Sequence, residues 1–236
     1  SGINGAVAVM MGLRHRARTG RGQLIELALA ENFTAYMGDA IMDYTMNGRV
    51  QNTLGNRHSH LAPHGCYPCK GDDEWVTIAV SNEGEWQNLC RAMGDPSWIR
   101  EEKFSTELGR YEHQDEMDRH IAGWTKQKAK YELMHLLQRE GVAASAVLNH
   151  GEVFRDPHLK ERHYFQKVTQ SETGTHLYPK MAARLSRTPN SIRLPPVRLG
   201  EHDEYVYKEI LGMGDAEYRR LEELGQIGMD YPLHLK

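Results

Sequence analysis

"RTGRGQLIELALAENF", residues 18–33, decides the fold class. Upstream, "SGINGAVAVMMGLRHRA" places Ile3, Val7, Met10 and Met11 on one helical face. Gly2, Gly5, Ala6, Ala8 and Gly12 let a neighbouring element approach that helix closely, and Arg14, His15, Arg16 and Arg18 fall where a helix C-terminus favours positive charge. Gly20 and Gly22 then punctuate the chain. "QLIELAL" is a largely apolar run of strand length, and "ENFTAYMGDAIMDYTMNG" after it sets Phe33, Tyr36, Met37, Ala40, Ile41 and Tyr44 at helical spacing. Helix, glycine turn, strand, helix is the order of an α/β fold.

The 236 residues are enough for one large domain or two small ones. With 29 basic against 32 acidic residues the net charge is -3, which gives no signature of a nucleic-acid partner. No stretch approaches the roughly 20 apolar residues of a membrane span, and no charged start leads into an apolar run and cleavage site. Three cysteines are too few and odd in number for a disulfide framework. A soluble cytoplasmic protein is expected. The chain opens on Ser1, inside a helical pattern, and so reads as a piece of something longer.

Downstream, residues 47–70 lose all periodicity among Gly, Asn, His and Pro and read as a long, functional loop. "EWVTIAVS" alternates as a strand does, Asn82 with Glu85 forms a capping box before a helix carrying Trp86, Leu89, Cys90 and Met93, and Gly94 ends that helix. Two more helices are predicted, one turning Met117, Ile121 and Trp124 inward, the other Leu133, Leu136 and Leu137 before Gly141. "VAASAVL" reads as a buried strand, and two strand-like runs between Tyr164 and Met181 flank "SETGT" as a hairpin. "RTPNSIRLPPVRLG" is irregular. The tail returns to helix through Tyr205, Val206, Glu209 and Ile210, and Asp215 is placed to cap a last helix with Tyr218, Leu221 and Leu224.

Within the long loop, "GNRHSHLAPHGCYPC" (55–69) packs His58, His60 and His64 beside Cys66 and Cys69. A structural zinc site needs a second Cys/His pair a dozen or more residues away, which is missing, and Pro63 and Pro68 restrict wrapping around an ion, so no metal is expected. A redox pair would want the cysteines at a helix N-terminus, whereas Lys70, Gly71, Asp72 and Asp73 read as a turn into a strand. "RTGRGQ" lacks the P-loop and dinucleotide-binding spacings. Asp39 and Asp43, four residues apart, suit a solvated helix face better than acid-base work.

Five segments in order, "RTGRGQLIELALAENF" (18–33), "GNRHSHLAPHGCYPCKGDDEWVTIAVSNEGEWQNLC" (55–90), "DPHLKERHYF" (156–165), "SRTP" (186–189) and "LGEHDEYVYKEILG" (199–212), resemble the family III CoA-transferases, the group of formyl-CoA and crotonobetainyl-CoA transferases. The wording around "GNRH" and "APHGCYPCKGDDEW" is most similar to members using aromatic or dicarboxylic acyl groups, such as benzylsuccinate and phenyllactate CoA-transferases. The resemblance covers nearly the whole chain.

It implies an α/β fold with a Rossmann-like large domain, present here only in part, and a smaller α+β domain. Residues 1–52 then form a large-domain segment, 53–165 a linker and small domain beginning near residue 60, and 166–236 the return to the large domain with C-terminal helices. It further implies a homodimer whose full-length subunits interlock, acyl-CoA and carboxylic acid substrates, coenzyme A as a substrate thioester with no tightly bound cofactor, and no nucleic-acid or membrane partner. Chemistry in this family runs through an aspartate that attacks the thioester and becomes an aspartyl-CoA intermediate. By the resemblance that aspartate falls just before Ser1, so no catalytic residue is assigned within residues 1–236, Asp39 and Asp43 do not fit the motif, and the isolated chain is expected to be inactive. Where formyl-CoA transferase carries a mobile run of glycines, this chain has "HSHLAP" (58–63). Asn56, His58, His60 and Leu61 are therefore the candidates for lining the acyl pocket, with imidazoles able to bond a carboxylate, against the alternative of a plain inter-domain loop. An α-methylacyl-CoA racemase, which shares the fold, and a noncatalytic subunit pairing with a separate Rossmann half are the rival readings.

Overall fold

Val76 and Ile78, both essentially inaccessible, lie two apart on β2 (Trp75–Ala79) and fix which face of a three-stranded sheet becomes the core. The computed structural model describes residues 1–229, which fall into two compact units, Ser1–Val147 and a second from Leu148 onward.

In the first unit β1 (His64–Pro68) pairs antiparallel with β2, which pairs antiparallel with β3 (Ala143–Ala146), so β2 is central. Residues directly opposite in such a ladder share a face. Tyr67, Val76 and Ala146 therefore point inward together, and Cys66, Thr77 and Ser145 point outward together, as do His64, Ala79 and Ala143. Three helices bring apolar side chains to the inner face: α4 (Glu83–Ala92) contributes Trp86, Leu89 and Cys90, α6 (Gln114–Thr125) contributes Met117 and Ile121, and α7 (Lys130–Arg139) contributes Leu133 and Leu137. Each such aliphatic side chain stabilises by about 1.5–3 kcal/mol relative to exposure.

Local chemistry sets the boundaries. Asn82 Oδ1 accepts from Glu85 N at 3.0 Å while Glu85 Oε2 accepts from Ser81 N at 2.7 Å, starting α4, and Gly94 in the left-handed region (φ 83°) ends it. A short helix, α5 (Glu107–Glu112), is capped by Thr106 and carries Arg110, which is 1% exposed. β3 lies at the sheet edge, and of its residues only Ala146 is buried, so "VAASAVL" is an edge strand and not a buried one.

At the start of this unit, α1 (Gly2–Thr19) ends at Gly20 with φ 72°. The predicted strand "QLIELAL" gains no ladder partner among the described residues: residues 23–28 carry no regular secondary structure, and the chain enters α2 (Leu29–Thr34) from Ala28. A single 3-10 turn then joins α2 to α3 (Gly38–Asn47). Among residues 1–42 no side chain is buried, and Met10, Met11, Phe33 and Tyr36 are each at least 64% exposed. Asp43 is the exception in α3. It is buried, and it accepts from Asn47 Nδ2, Arg49 Nε and Gln51 Nε2, so it pins the helix end and is no solvated carboxylate.

In the second unit α8 (His150–Arg155), with Asn149 and Glu152 as a reciprocal capping box, leads through α9 (Pro157–Glu161) to the hairpin of β4 (Phe165–Gln170) and β5 (Gly174–Pro179). Gln170 Oε1 accepts from Glu172 N and Thr173 N, shaping the turn. A π-helical segment, Tyr205–Ile210, and α10 (Asp215–Glu223) close it. Gly214 is the N-cap of α10, and Asp215 instead pairs with Lys208 at 3.0 Å. Residues 230–236 of the expected third segment lie outside the described residues.

Candidate functional site

The loop 55–62 reaches the sheet at His64. Gly55, in the left-handed region (φ 63°), begins the turn, and Arg57 N donates to Leu54 O at 3.1 Å. The Arg57 guanidinium then ties the loop to α6, with Nη2 at 2.5 Å from Asp115 Oδ1 and 2.8 Å from Asp118 Oδ2. Asp118 also accepts the Tyr67 hydroxyl at 2.7 Å, so loop, strand and helix meet at one carboxylate. Burial, and then this carboxylate, push the Tyr67 phenol well above its ordinary range and keep it a neutral donor.

Three imidazoles gather around His58. His58 and His60 meet edge to face with centroids 4.4 Å apart, and His58 lies 5.3 Å from His64. His60 N points at His58 Nδ1 at 3.4 Å, and Ser59 Oγ is 3.1 Å from His60 Nδ1. Lost hydration, followed by repulsion from His60 and His64, holds His58 below the ordinary imidazole range. That shift favours the neutral form of the His58 ring.

The sheet's outer face and the loop enclose a cleft of about 720 Å³, whose lining includes Asn56, His64, Cys66, Thr77, Gln138 and Ser145. Of the predicted residues, Asn56 lines this cleft. His60 and Leu61 border a recess of about 10 Å³ beside Arg110, and His58 lies between the two places. Sequence reasoning passed over Arg57, and it weighed His64 only as a metal ligand. The signal for His64 was its i, i+2 spacing from Cys66 leading into a strand, which puts both on one face.

Burial raises the Cys66 and Cys69 thiols above their ordinary pKa, so neither is a poised thiolate, and no disulfide joins them. Among the described residues no group of three or more His, Cys, Asp or Glu is arranged to hold a metal ion, and no helix is long and apolar enough to cross a membrane.

The family model for CoA-transferase family III matches residues 1–203. The chain belongs to CoA-transferase family III. Within this family it is 28% identical over 217 residues to the succinyl-CoA–D-citramalate CoA-transferase of Chloroflexus aurantiacus, covering 92% of this chain and 54% of that protein. It is 30% identical to the succinyl-CoA–L-malate CoA-transferase beta subunit of the same organism, covering 94% and 55% respectively. A solved CAIB/BAIF family protein from Brucella suis superposes with a TM-score of 0.74 at 25% identity, over 89% of this chain and 53% of that one. The chain spans about half the length of the curated relatives it matches. The family III CoA-transferase fold, of mixed α/β class, is thereby established.

Proposed function

We propose that the complete protein transfers CoA from an acyl-CoA thioester to a free carboxylic acid, by way of an aspartyl-CoA intermediate. The observation that carries this is the family match over residues 1–203 together with relatives whose names place succinyl-CoA on the donor side. In this reading an aspartate N-terminal to Ser1 attacks the thioester carbonyl and expels CoA thiolate. The thiolate then attacks the mixed anhydride at the aspartyl carbonyl, releasing the donor acid. The acceptor carboxylate attacks the resulting aspartyl thioester, and the returning thiolate completes the acyl-CoA and frees the aspartate. Splitting the exchange in this way replaces one hard displacement by easier ones. No carboxylate of the described chain is offered as the nucleophile: Asp43 is consumed by Asn47, Arg49 and Gln51.

The substrate class is a short dicarboxylic acid, supported by the relatives' named acceptors, citramalate and malate. Asn56, which lines the cleft, and His58, His60 and Leu61, carried on the same loop, are the residues assigned to it. Residues 1–52 and 166–236 belong to the large domain and 53–165 to the linker and small domain of a cytoplasmic, interlocked homodimer, with no resident cofactor. The exposed apolar side chains of α1–α3 support burial of that segment in the assembled protein.

The test is exchange by the full-length protein between succinyl-CoA and labelled dicarboxylic acids, with trapping of the aspartyl thioester by hydroxylamine. Release of α-proton label without CoA exchange would establish the racemase reading instead. His58→Ala and His60→Ala are expected to lower turnover by roughly tenfold with little loss of stability, the effect of one hydrogen bond to a charged group. Full activity in both variants would reduce the loop to a linker.

A further inference from the structure

His64 Nδ1 lies 2.9 Å from the main-chain oxygen of Asn56. A carbonyl oxygen only accepts, so the proton sits on Nδ1, and Nε2 is the ring's remaining polar position. Among the described residues His64 makes no second hydrogen bond, and its other neighbour is the His58 ring. The ring stands on the outer face of the sheet opposite Ala79, which pairs onward with Ala143. Those two methyl groups leave the space that the cleft occupies. What fixes the Asn56 carbonyl is the next residue, since Arg57 is held on α6 by Asp115 and Asp118.

We propose that His64 presents Nε2 to the cleft and there binds the non-reacting carboxylate of a dicarboxylic acid substrate. A carboxylate needs a donor at Nε2, so the anion binds together with a proton: Nδ1–H stays on the Asn56 carbonyl and the added Nε2–H meets the anion. A substrate whose first carboxylate reacts must put its second somewhere, and the cleft offers His64 beside the Asn56 side chain, which has no partner among the described residues, over a floor of small residues. Pairing Nε2–H with a carboxylate gives a charge-assisted hydrogen bond, and the Nδ1–H bond to Asn56 fixes the ring's orientation, so no ring flip is required on binding. The choice of ligand rests on the reading of the protein as a CoA-transferase, whereas the binding claim does not require turnover.

Calorimetric titration of the full-length protein with succinate and with butyrate separates the possibilities, because the two acids differ in the second carboxylate. The expectation is that His64→Phe weakens succinate by roughly ten- to a hundredfold and leaves butyrate unchanged, and that His64→Gln, which keeps a donor, recovers part of the loss. Equal weakening of both acids, no change in either, or no binding of succinate by the wild type would overturn the proposal. Should His64→Phe unfold, the Gln variant and the nitrogen shifts of the His64 ring carry the test: an Nε2–H neutral tautomer, or a ring unmoved by succinate, refutes it. Acyl exchange is assayed separately. Succinate binding through His64 without exchange would remove the transferase reading and leave this site standing, while exchange with an unaltered succinate preference in the variant would do the reverse.

Discussion

Replacing Arg57 by methionine keeps the apolar stem and removes both ion pairs that hold the histidine loop on α6. The two arms differ in worth. Asp115 is 78% exposed, and a solvated pair of that kind contributes little to stability. Asp118 is 27% exposed and already accepts from Tyr67, so its arm lies at the lower end for a hydrogen bond to a charged group, about 1.5 kcal/mol. Arg57→Met should therefore cost roughly 1.5 kcal/mol in urea denaturation. Asp118→Asn and the double variant complete a cycle whose coupling isolates the Asp118 arm and is expected at about 1.5 kcal/mol, since the Asp115 arm cancels. Salt at about 1 M should erase mainly the Asp115 contribution, since exposed charges are the ones screened. Hydrogen exchange at residues 55–62 should rise in Arg57→Met while the core of α6 stays protected. A loss under about 0.3 kcal/mol, or strictly additive single effects, would mean that the loop is held elsewhere and that the Asn56 carbonyl has no anchor.

Tyr67→Phe removes one buried hydroxyl bond to Asp118 and should cost about 1–2 kcal/mol by denaturation, and an unchanged midpoint would count against the three-way junction. Arg49, and then Asn47, hold the Asp43 carboxyl down to about 2 from an ordinary 3.8. A lowered carboxylate stabilises fully above its unfolded pKa, so that contribution is present at neutral pH and is lost as pH falls from about 4 to about 2. Asp43→Asn should flatten thermal stability over that window, and an identical acid profile would refute the assignment. Gly109→Ala would set a Cβ at 2.3 Å from the Lys103 carbonyl oxygen, a backbone atom that cannot swing away, and should destabilise by about 1–3 kcal/mol, read by thermal melting.

Sequence periodicity placed α1, α4, α6, α7, β2 and the β4–β5 hairpin because each writes its own pattern: a capped amphipathic helix or an alternating run is a local property. "QLIELAL" shows where this ends. Its apolar, strand-length composition is real, yet a strand exists only when a neighbour completes the ladder, and nothing in seven residues states where that neighbour is. β3 fails in the opposite sense: an apolar run foretells burial, but its place beyond β2 exposes half of it.

The site was legible as a place more than as a set of roles. Density of histidine marked residues 55–69, but which imidazole meets the cleft follows from pairing His64 with Ala79 and from one carbonyl bond across eight residues, and both of these are tertiary facts. Asp43 carries the same lesson for charge. Spacing gave it the look of a solvated partner to Asp39, while three donors from residues 47–51 turn back to it once α3 ends at Gly48 in the left-handed region. A carboxylate or an imidazole takes its function from the groups that orient it, so in this fold the decisive residues are those, such as Arg57, whose own chemistry is fully spent on holding another residue's backbone in place.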